Sequence, residues 1–492
     1  MRSGTDYMEN LNDGRAVYLD GELVQDVTTH PALSEAIGVI AETYERARDP
    51  SIGDITSYED PETGERFSTA WKIPRNRDDL EARRKLHTFW AEPSFGLMGR
   101  TPDHVASLLS AFAGASHVFA RGGESFGQNV LAFYERARRE DLYLAYVIVP
   151  PQVDRSKPAH QQPEPFLYAG VVREEDGGIV VRGAQMIGTS AVMADYVLLT
   201  YIVPLAPGDE DYAISCVVPI NASGLRIYPR RPYSTTATSR YDYPLSTRFD
   251  EVDSLLVFDD VFVPWEHVFV YRDVGLTKAQ FFETGGHLLA NFQALVRFAV
   301  KLRFAAGLAS RLAELHGLLS LPPVQAQLGG DIASICTTME ALLLASEAAC
   351  EIRDGMARPN AKFLYTGMSV QRQSVVDLMR GLRELAGGSF IAVPSSAKSF
   401  AGAGAADVRR YYRSVSASAE ERVKLLKLLW DFVGTEFAGR QLQYEMFYSA
   451  PQHVADTRIF HSYSWADGRE LVDRCLAAYE LNAEDQQKDL VS

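Results

Sequence analysis

A chain of 492 residues, 46% of them hydrophobic and 23% charged, carries enough apolar side chains for more than one core and predicts two or three domains. Its 49 basic and 64 acidic residues leave a formal charge of −15, which argues against nucleic acid or an anionic membrane surface as a partner. Four scattered cysteines with no CxxC pair predict neither a disulfide framework nor a zinc site, and the absence of an apolar signal core after Met1 and of any apolar run of about eighteen residues predicts a cytoplasmic protein without a membrane partner.

Residues 1–141 are expected to be mostly helical. A short helix begins near Met8, and Val17 to Val24 forms a small hairpin turning at Asp20-Gly21. Leu33, Ile37, Ile40, Ala41 and Tyr44 repeat at helical spacing between Pro31 and Arg48. The Gly/Asp/Pro-rich stretch 49–66 is expected as a loop, and further helices cover 78–90 and 129–141. Between them Thr101-Pro102-Asp103 predicts a helix start, with Thr101 as cap and Pro102 in the first turn.

Residues 142–272 are expected to form a β-barrel or sandwich. Pro150-Pro151-Gln152-Val153-Asp154-Arg155-Ser156-Lys157-Pro158 is a rigid loop dense in hydrogen-bonding groups, because prolines at both ends stop helix and central strand alike. Strands follow at 166–172 and 178–183, joined through Asp176-Gly177, then at 196–203, 212–218 and 255–258, after which Asp259–Trp265 leaves the sheet. The polar, tyrosine-rich segment 230–248 is long enough to be expected as a substrate lid. Residues 273–481 show long amphipathic segments at 292–319, 324–354, 369–385 and 419–447, which predict a four-helix bundle; the polar tail 482–492 is expected to fray.

No GxGxxG follows a strand, since Asp407 stands where Gly402-Ala403-Gly404 would need its third glycine, and neither HExxH nor a P-loop occurs. Several segments do carry a resemblance in one order along nearly the whole chain. These are Leu11-Asn12-Asp13-Gly14-Arg15, Asp26-Val27-Thr28-Thr29-His30-Pro31, Gly99-Arg100-Thr101-Pro102-Asp103, the Pro151–Pro158 loop, Gly183-Ala184-Gln185-Met186 and Gly434-Thr435-Glu436-Phe437-Ala438-Gly439-Arg440-Gln441. Together they resemble the 4-hydroxyphenylacetate 3-hydroxylase family, the large oxygenase components of two-component flavin-dependent monooxygenases. The resemblance implies an α+β, acyl-CoA dehydrogenase-like fold with an N-terminal helical domain, a central β-domain and a C-terminal bundle that builds a homotetramer. It implies FAD as FADH2 from a separate flavin reductase, molecular oxygen as co-substrate, and ortho hydroxylation of a phenol, free or carrier-bound, through a flavin C4a-hydroperoxide.

Arg100 stands at a helix mouth, where backbone amides also favour anions, and its guanidinium could hold a phenolate; in the family this arginine lines the substrate pocket. His104 and Tyr146 are departures, because relatives acting on 4-hydroxyphenylacetate have tyrosine at the first place and histidine at the second. The exchange keeps a group able to take the phenol proton but reshapes the pocket. By resemblance Tyr146, Gln152, Val153, Asp154, Arg155 and Thr189 touch the flavin, as do Ser449, Ala450, Pro451 and Gln452. His287 is a further candidate base, used by some chlorophenol-type relatives directly before a glutamine. Here Phe292 precedes Gln293, which favours a structural role for His287. Two other readings are an acyl-CoA dehydrogenase-like flavin oxidoreductase, which needs a free carboxylate facing the flavin, and a non-catalytic helical scaffold.

Overall fold

The computed structural model describes residues 1–448 and 450–479; Ser449 and the 482–492 tail lie outside the described residues. Ser3 opens the first helix, Gly4–Asn10, through a reciprocal cap with Asp6. The helix Ser34–Ala47 buries Ala36, Ile37, Val39, Ile40 and Tyr44, the stripe its spacing predicts. The 49–66 stretch is more ordered than expected. It holds the helix Gly53–Thr56 and a ribbon of Ser57–Glu59 with Arg66–Ser68. Asp60 fixes the ribbon's turn by accepting from the Glu62 and Thr63 amides while it pairs with Arg138.

The predicted Asp20-Gly21 turn is present, with φ of 53° and 87°, as a two-residue hairpin turn requires. Its strands do not stand alone, however. They form the edge of a six-stranded sheet whose order is Glu22–Leu23, Ala16–Leu19, Leu225–Pro229, Ser254–Pro264, Gly178–Gln185 and Gly170–Glu175. The Asp176-Gly177 turn joins the last two, with Glu175 paired to Gly178. The strand expected from Phe166 starts only at Gly170, because Phe166 at φ 57° bends the chain out of the ladder. Conversely, Asp259–Pro264 stays in the sheet. A bulge between Phe258 and Val261 turns Asp259 to water and returns Val261 and Val263 to the core.

A second, four-stranded sheet has the order Val268–Tyr271, Ile214–Pro219, Tyr196–Leu199 and Leu144–Val147. Its edge strand Leu144–Val147 packs on the helix Pro102–Gly114, which is buried along almost its whole length and lies in turn against the long helix Gly286–Leu315. This stack of strand, helix and helix positions the candidate site.

The bundle is built from Gly286–Leu315, the continuous helix Pro322–Ala348, Ala361–Ala386 and a fourth pass that is broken rather than continuous. Gly434 packs so closely on the Trp430 ring that a side chain could not fit, and the chain restarts as Glu436–Tyr448. Further helices, Gln452–Ser462 and Trp465–Leu476, follow. Pro322–Ala348 is the one described helix long and apolar enough to cross a bilayer, although Asp331, Glu340 and Glu347 interrupt its apolar run. It packs against Gly286–Leu315 and Ala361–Ala386.

The 230–248 segment, expected as a lid, is tied down. Buried Asp431 accepts the amides of Leu245 and Ser246 at 2.8 and 2.9 Å. Lys427 pairs with Asp242 at 3.2 Å, and Arg230 is held by Asp250 and Asp253. A hinged cover would have to break this buried network.

Candidate active site

Arg100 is 9% exposed and ringed by aromatic faces: its guanidinium carbon lies 5.1 Å from the Tyr146 ring centre, 5.3 Å from Tyr444 and 4.5 Å from Tyr448. Its Nη1 donates to the Tyr444 hydroxyl at 2.5 Å. Among the described residues no carboxylate forms an ion pair with the Arg100 side chain. Burial works against its charge, but the phenols of Tyr146, Tyr444 and Tyr448 and the Glu251 carboxylate outweigh it and hold Arg100 firmly protonated. The backbone amides just before the helix are already taken. Glu251 Oε2 accepts the amide of Arg100 at 3.2 Å and that of Gly99, so the protein supplies its own anion there. Thr101 takes the cap position, yet its hydroxyl donates to Asp103 Oδ1 at 2.5 Å instead of accepting a backbone amide.

His104, on the first turn of Pro102–Gly114, is fully buried. Its ring centre is 5.3 Å from Tyr146 and 6.4 Å from Tyr448, so it shares aromatic walls with Arg100. Nδ1 meets Gln293 Oε1 at 2.8 Å, and Nε2 is buried without a partner. Burial first, then the Arg100 charge, push His104 well below its ordinary value, so the imidazole is neutral. Tyr146 comes from the edge strand Leu144–Val147, and its hydroxyl makes no hydrogen bond among the described residues. The structure therefore brings Arg100, His104 and Tyr146 together.

The flavin candidates are arranged differently. Gln152, Val153 and Arg155 are exposed, and Asp154 is half-buried. Their loop is braced from within: Asp154 accepts from the Ser156 amide and hydroxyl at 3.0 and 2.6 Å, while Gln162 Nε2 donates to the carbonyls of Asp154 and Lys157. No hydrogen bond among the described residues joins this loop to Arg100 or His104; the link is the chain itself, running from Tyr146. Thr189, expected to touch the flavin, gives its proton to Asp253 at 2.7 Å and so faces a ligand only as an acceptor. Asp253 is held ionised: burial opposes its charge, but Arg440 and Arg230 outweigh it. Ala450 adopts φ 69° and its carbonyl accepts from Arg372. Pro451 is exposed, and Gln452 binds Ser369 and Asp456. This segment begins immediately after Tyr448, one wall of the Arg100 cage. His287 stands apart, with Nδ1 3.3 Å from the Tyr365 hydroxyl and its ring against Phe282.

Tyr444 and Tyr448 were not anticipated, nor was the charged layer beneath them. Arg440 binds Asp253 and Glu251, and Glu445 binds Arg297, Lys301 and Gln371. The available signal was spacing: Arg440, Tyr444 and Tyr448 recur every fourth residue, as do Gln441 with Glu445 and Arg297 with Lys301. Polar stripes of that kind on long apolar helices mark a buried network.

The site encloses a guanidinium with no carboxylate partner, a neutral imidazole and three phenols, and family and relatives together place the chain in the class of flavin-dependent aromatic monooxygenases. The chain belongs to the 4-hydroxyphenylacetate 3-hydroxylase family, whose N-terminal model matches residues 3–270 and whose C-terminal model matches 277–477. A pyoverdin chromophore biosynthetic protein of Pseudomonas aeruginosa is 33% identical over 98% of this chain and 96% of its own length. A Streptomyces globisporus monooxygenase named for a (3S)-3-amino-3-(3-chloro-4-hydroxyphenyl)propanoyl-[peptidyl-carrier protein] substrate is also 33% identical, over 98% and 92%. The crystal structure of a 4-hydroxyphenylacetate 3-monooxygenase oxygenase component with FAD and 4-hydroxyphenylacetate superposes with a TM-score of 0.91 at 30% identity, covering 97% of this chain and 99% of the other.

Proposed function

We propose that Arg100, His104 and Tyr146 hold the hydroxyl of a phenol for ortho hydroxylation, with FAD as FADH2 brought by a separate reductase. The chain is a flavin-dependent aromatic monooxygenase. The observation that carries the assignment of residues is the pairing of a cation that has no carboxylate partner with an unpartnered lone pair on His104 Nε2. A phenol oxygen accepts from Arg100 and its proton faces His104 Nε2. As the carbon ortho to it is attacked, that proton becomes acidic and passes to Nε2. Tyr146, Tyr444 and Tyr448 wall the site with aromatic surface and exclude water.

The residues present fit a reduced flavin. Thr189 can only accept, and reduced flavin carries an N–H that oxidised flavin lacks; the Gln152–Arg155 loop and Ala450–Gln452 would supply the remaining contacts. When bound, the reduced flavin activates molecular oxygen. The buried carboxylates nearby are engaged, Glu251 by two amides and Arg440, Glu445 by two cations and Gln371. Neither of them is the free base that an acyl-CoA dehydrogenase needs. We assign residues 1–141, 142–272 and 273–481 to three domains, with the family models' junction near 270–277 in support, and assembly to a homotetramer in the cytoplasm, which light scattering and cell fractionation would check.

Supplied with reduced FAD, oxygen and a panel of phenols both free and carrier-tethered, the protein is expected to give a product heavier by one oxygen; flavin oxidation that releases only hydrogen peroxide across the panel would overturn the reading. A second expectation concerns Gly99. An added methyl group would occupy the space of the Tyr444 hydroxyl, so Gly99→Ala should push Tyr444 off Arg100 and lower product per flavin oxidised by about tenfold, equivalent to one charge-assisted hydrogen bond. Unchanged coupling in a folded variant would show that Tyr444 does not position Arg100.

A further inference from the structure

We propose that Asp103, acting through the side-chain amide of Gln293, sets His104 as a hydrogen-bond acceptor at Nε2, so that the site selects ligands presenting a hydroxyl proton there. This rests on the phenol-binding reading above.

The argument is one of donor and acceptor polarity. Asp103 is fully buried in the first turn of its helix, where the aligned peptide dipoles favour a carboxylate. Its Oδ1 accepts the Thr101 hydroxyl at 2.5 Å, and its Oδ2 lies 2.7 Å from His87 Nδ1. Gln293 approaches the same place: its Nε2 is 3.3 Å from both carboxylate oxygens and 3.4 Å from Thr101 Oγ1. The carboxylate can only accept, and the Thr101 proton is already committed. Only the NH2 end of the amide is tolerated there, since the flipped amide would set oxygen against oxygen. The Gln293 oxygen must then point away, and it lies 2.8 Å from His104 Nδ1. That nitrogen is consequently the N–H, and because a neutral imidazole carries one proton, Nε2 holds the lone pair.

Neutrality follows from what faces the ring. Around His104 stand Arg100 before its helix, His87 from Arg77–Ala91, Arg297 and Gln293 from Gly286–Leu315, Tyr146 from the edge strand and Tyr448 from Glu436–Tyr448. Two are cations, and Asp103 is reached only through Gln293. With the site empty a second proton on the ring has no stabilising partner, and the ring takes one only as the phenol oxygen gains negative charge beside it. The buried Nε2 lone pair is left without a donor by the protein, and a phenol supplies one where its methyl ether or its phenolate does not.

The test needs neither flavin nor turnover. In the full-length protein carrying 15N-histidine, the His104 signals, identified by their loss in His104→Phe, are expected to show a protonated Nδ1 and an unprotonated Nε2. In Gln293→Leu, and in Asp103→Asn should the first variant fail to fold, the tautomer preference should be lost. Equilibrium dialysis should then show the preference for a phenol over its methyl ether falling by about tenfold. A protonated Nε2 in the parent protein, or an unaltered tautomer in a folded variant, overturns the relay even where phenols are hydroxylated. The expected tautomer in a protein that hydroxylates no phenol supports the relay and overturns the functional reading instead.

Discussion

Arg100→Met is expected to lower kcat/KM for the phenol by two to three orders of magnitude, the loss seen when one preorganised charge-stabilising donor is removed from a dry site (~3–4 kcal/mol). The size follows from the surroundings. Glu251 takes up the backbone of Gly99 and Arg100 but forms no ion pair with the Arg100 side chain, so the positive charge is available to a substrate oxygen. Burial at 9% exposure strengthens that attraction relative to water. Arg100→Lys should recover little, because an ammonium on a flexible stem cannot stack against Tyr146, Tyr444 and Tyr448 as a planar guanidinium does. The measurement is product formed per reduced flavin consumed, with kcat and KM separated. Removal of an interaction made only as charge develops lowers kcat, whereas removal of ground-state binding raises KM alone. Product yield within about threefold of the parent in a folded Arg100→Met protein would remove Arg100 from the proposed role.

Arg100, His104 and Tyr146 could be found in the sequence because each lies in or beside a segment that resembles the 4-hydroxyphenylacetate 3-hydroxylase family, and the structure brings all three to one place. What surrounds them could not be found that way. Tyr444 and Tyr448 lie on Glu436–Tyr448, whose amphipathic pattern reads equally well as plain bundle packing. Glu251 sits in an irregular segment, and its partners Gly99 and Arg100 are some 150 residues away in sequence. No periodicity reports such a contact. The same limit applies to the fold. The long helices were legible from their apolar stripes, whereas Leu144–Val147, Leu225–Pro229 and Val268–Tyr271 are short strands whose existence depends on distant partners. The fourth bundle helix looked continuous because Gly434 signals a break only once the Trp430 ring is seen against it. The lid expectation failed for a related reason: length and polarity suggested mobility, while the buried carboxylate of Asp431, on another helix, ties the segment down.

Glu445→Gln is expected to destabilise the protein by about 3–5 kcal/mol, the penalty for leaving buried charge uncompensated. Arg297, Lys301 and Glu445 are each no more than 1% exposed. Burial alone would push the Glu445 carboxyl up, but Arg297 and Lys301 outweigh it and hold it down at about 2. Lys301 shows the opposite balance, with burial lowering it to about 8 against the pull of Glu445. Without Glu445, Lys301 can release its proton and Arg297 cannot, so the residual cost falls on Arg297, whose guanidinium lies 5.4 Å from the Tyr444 ring that in turn holds Arg100. Stability and the cage are thereby coupled. The pH dependence has a definite sign. A carboxylate depressed in the folded protein contributes its stability above the unfolded value of 4.5 and loses it as pH falls from there toward about 2. The parent protein should therefore weaken across that window more than Glu445→Gln does. Urea midpoints at pH 7 and along an acid series would measure both effects. Equal midpoints at pH 7, or parallel acid profiles, would show that the triad does not contribute to stability in this way. The triple change to methionine at Arg297, Lys301 and Glu445 provides the control: with all three charges removed no uncompensated ion remains, and much of the stability should return, while the distance from Tyr444 to Arg100, and with it the coupling of oxygen to product, should not be restored.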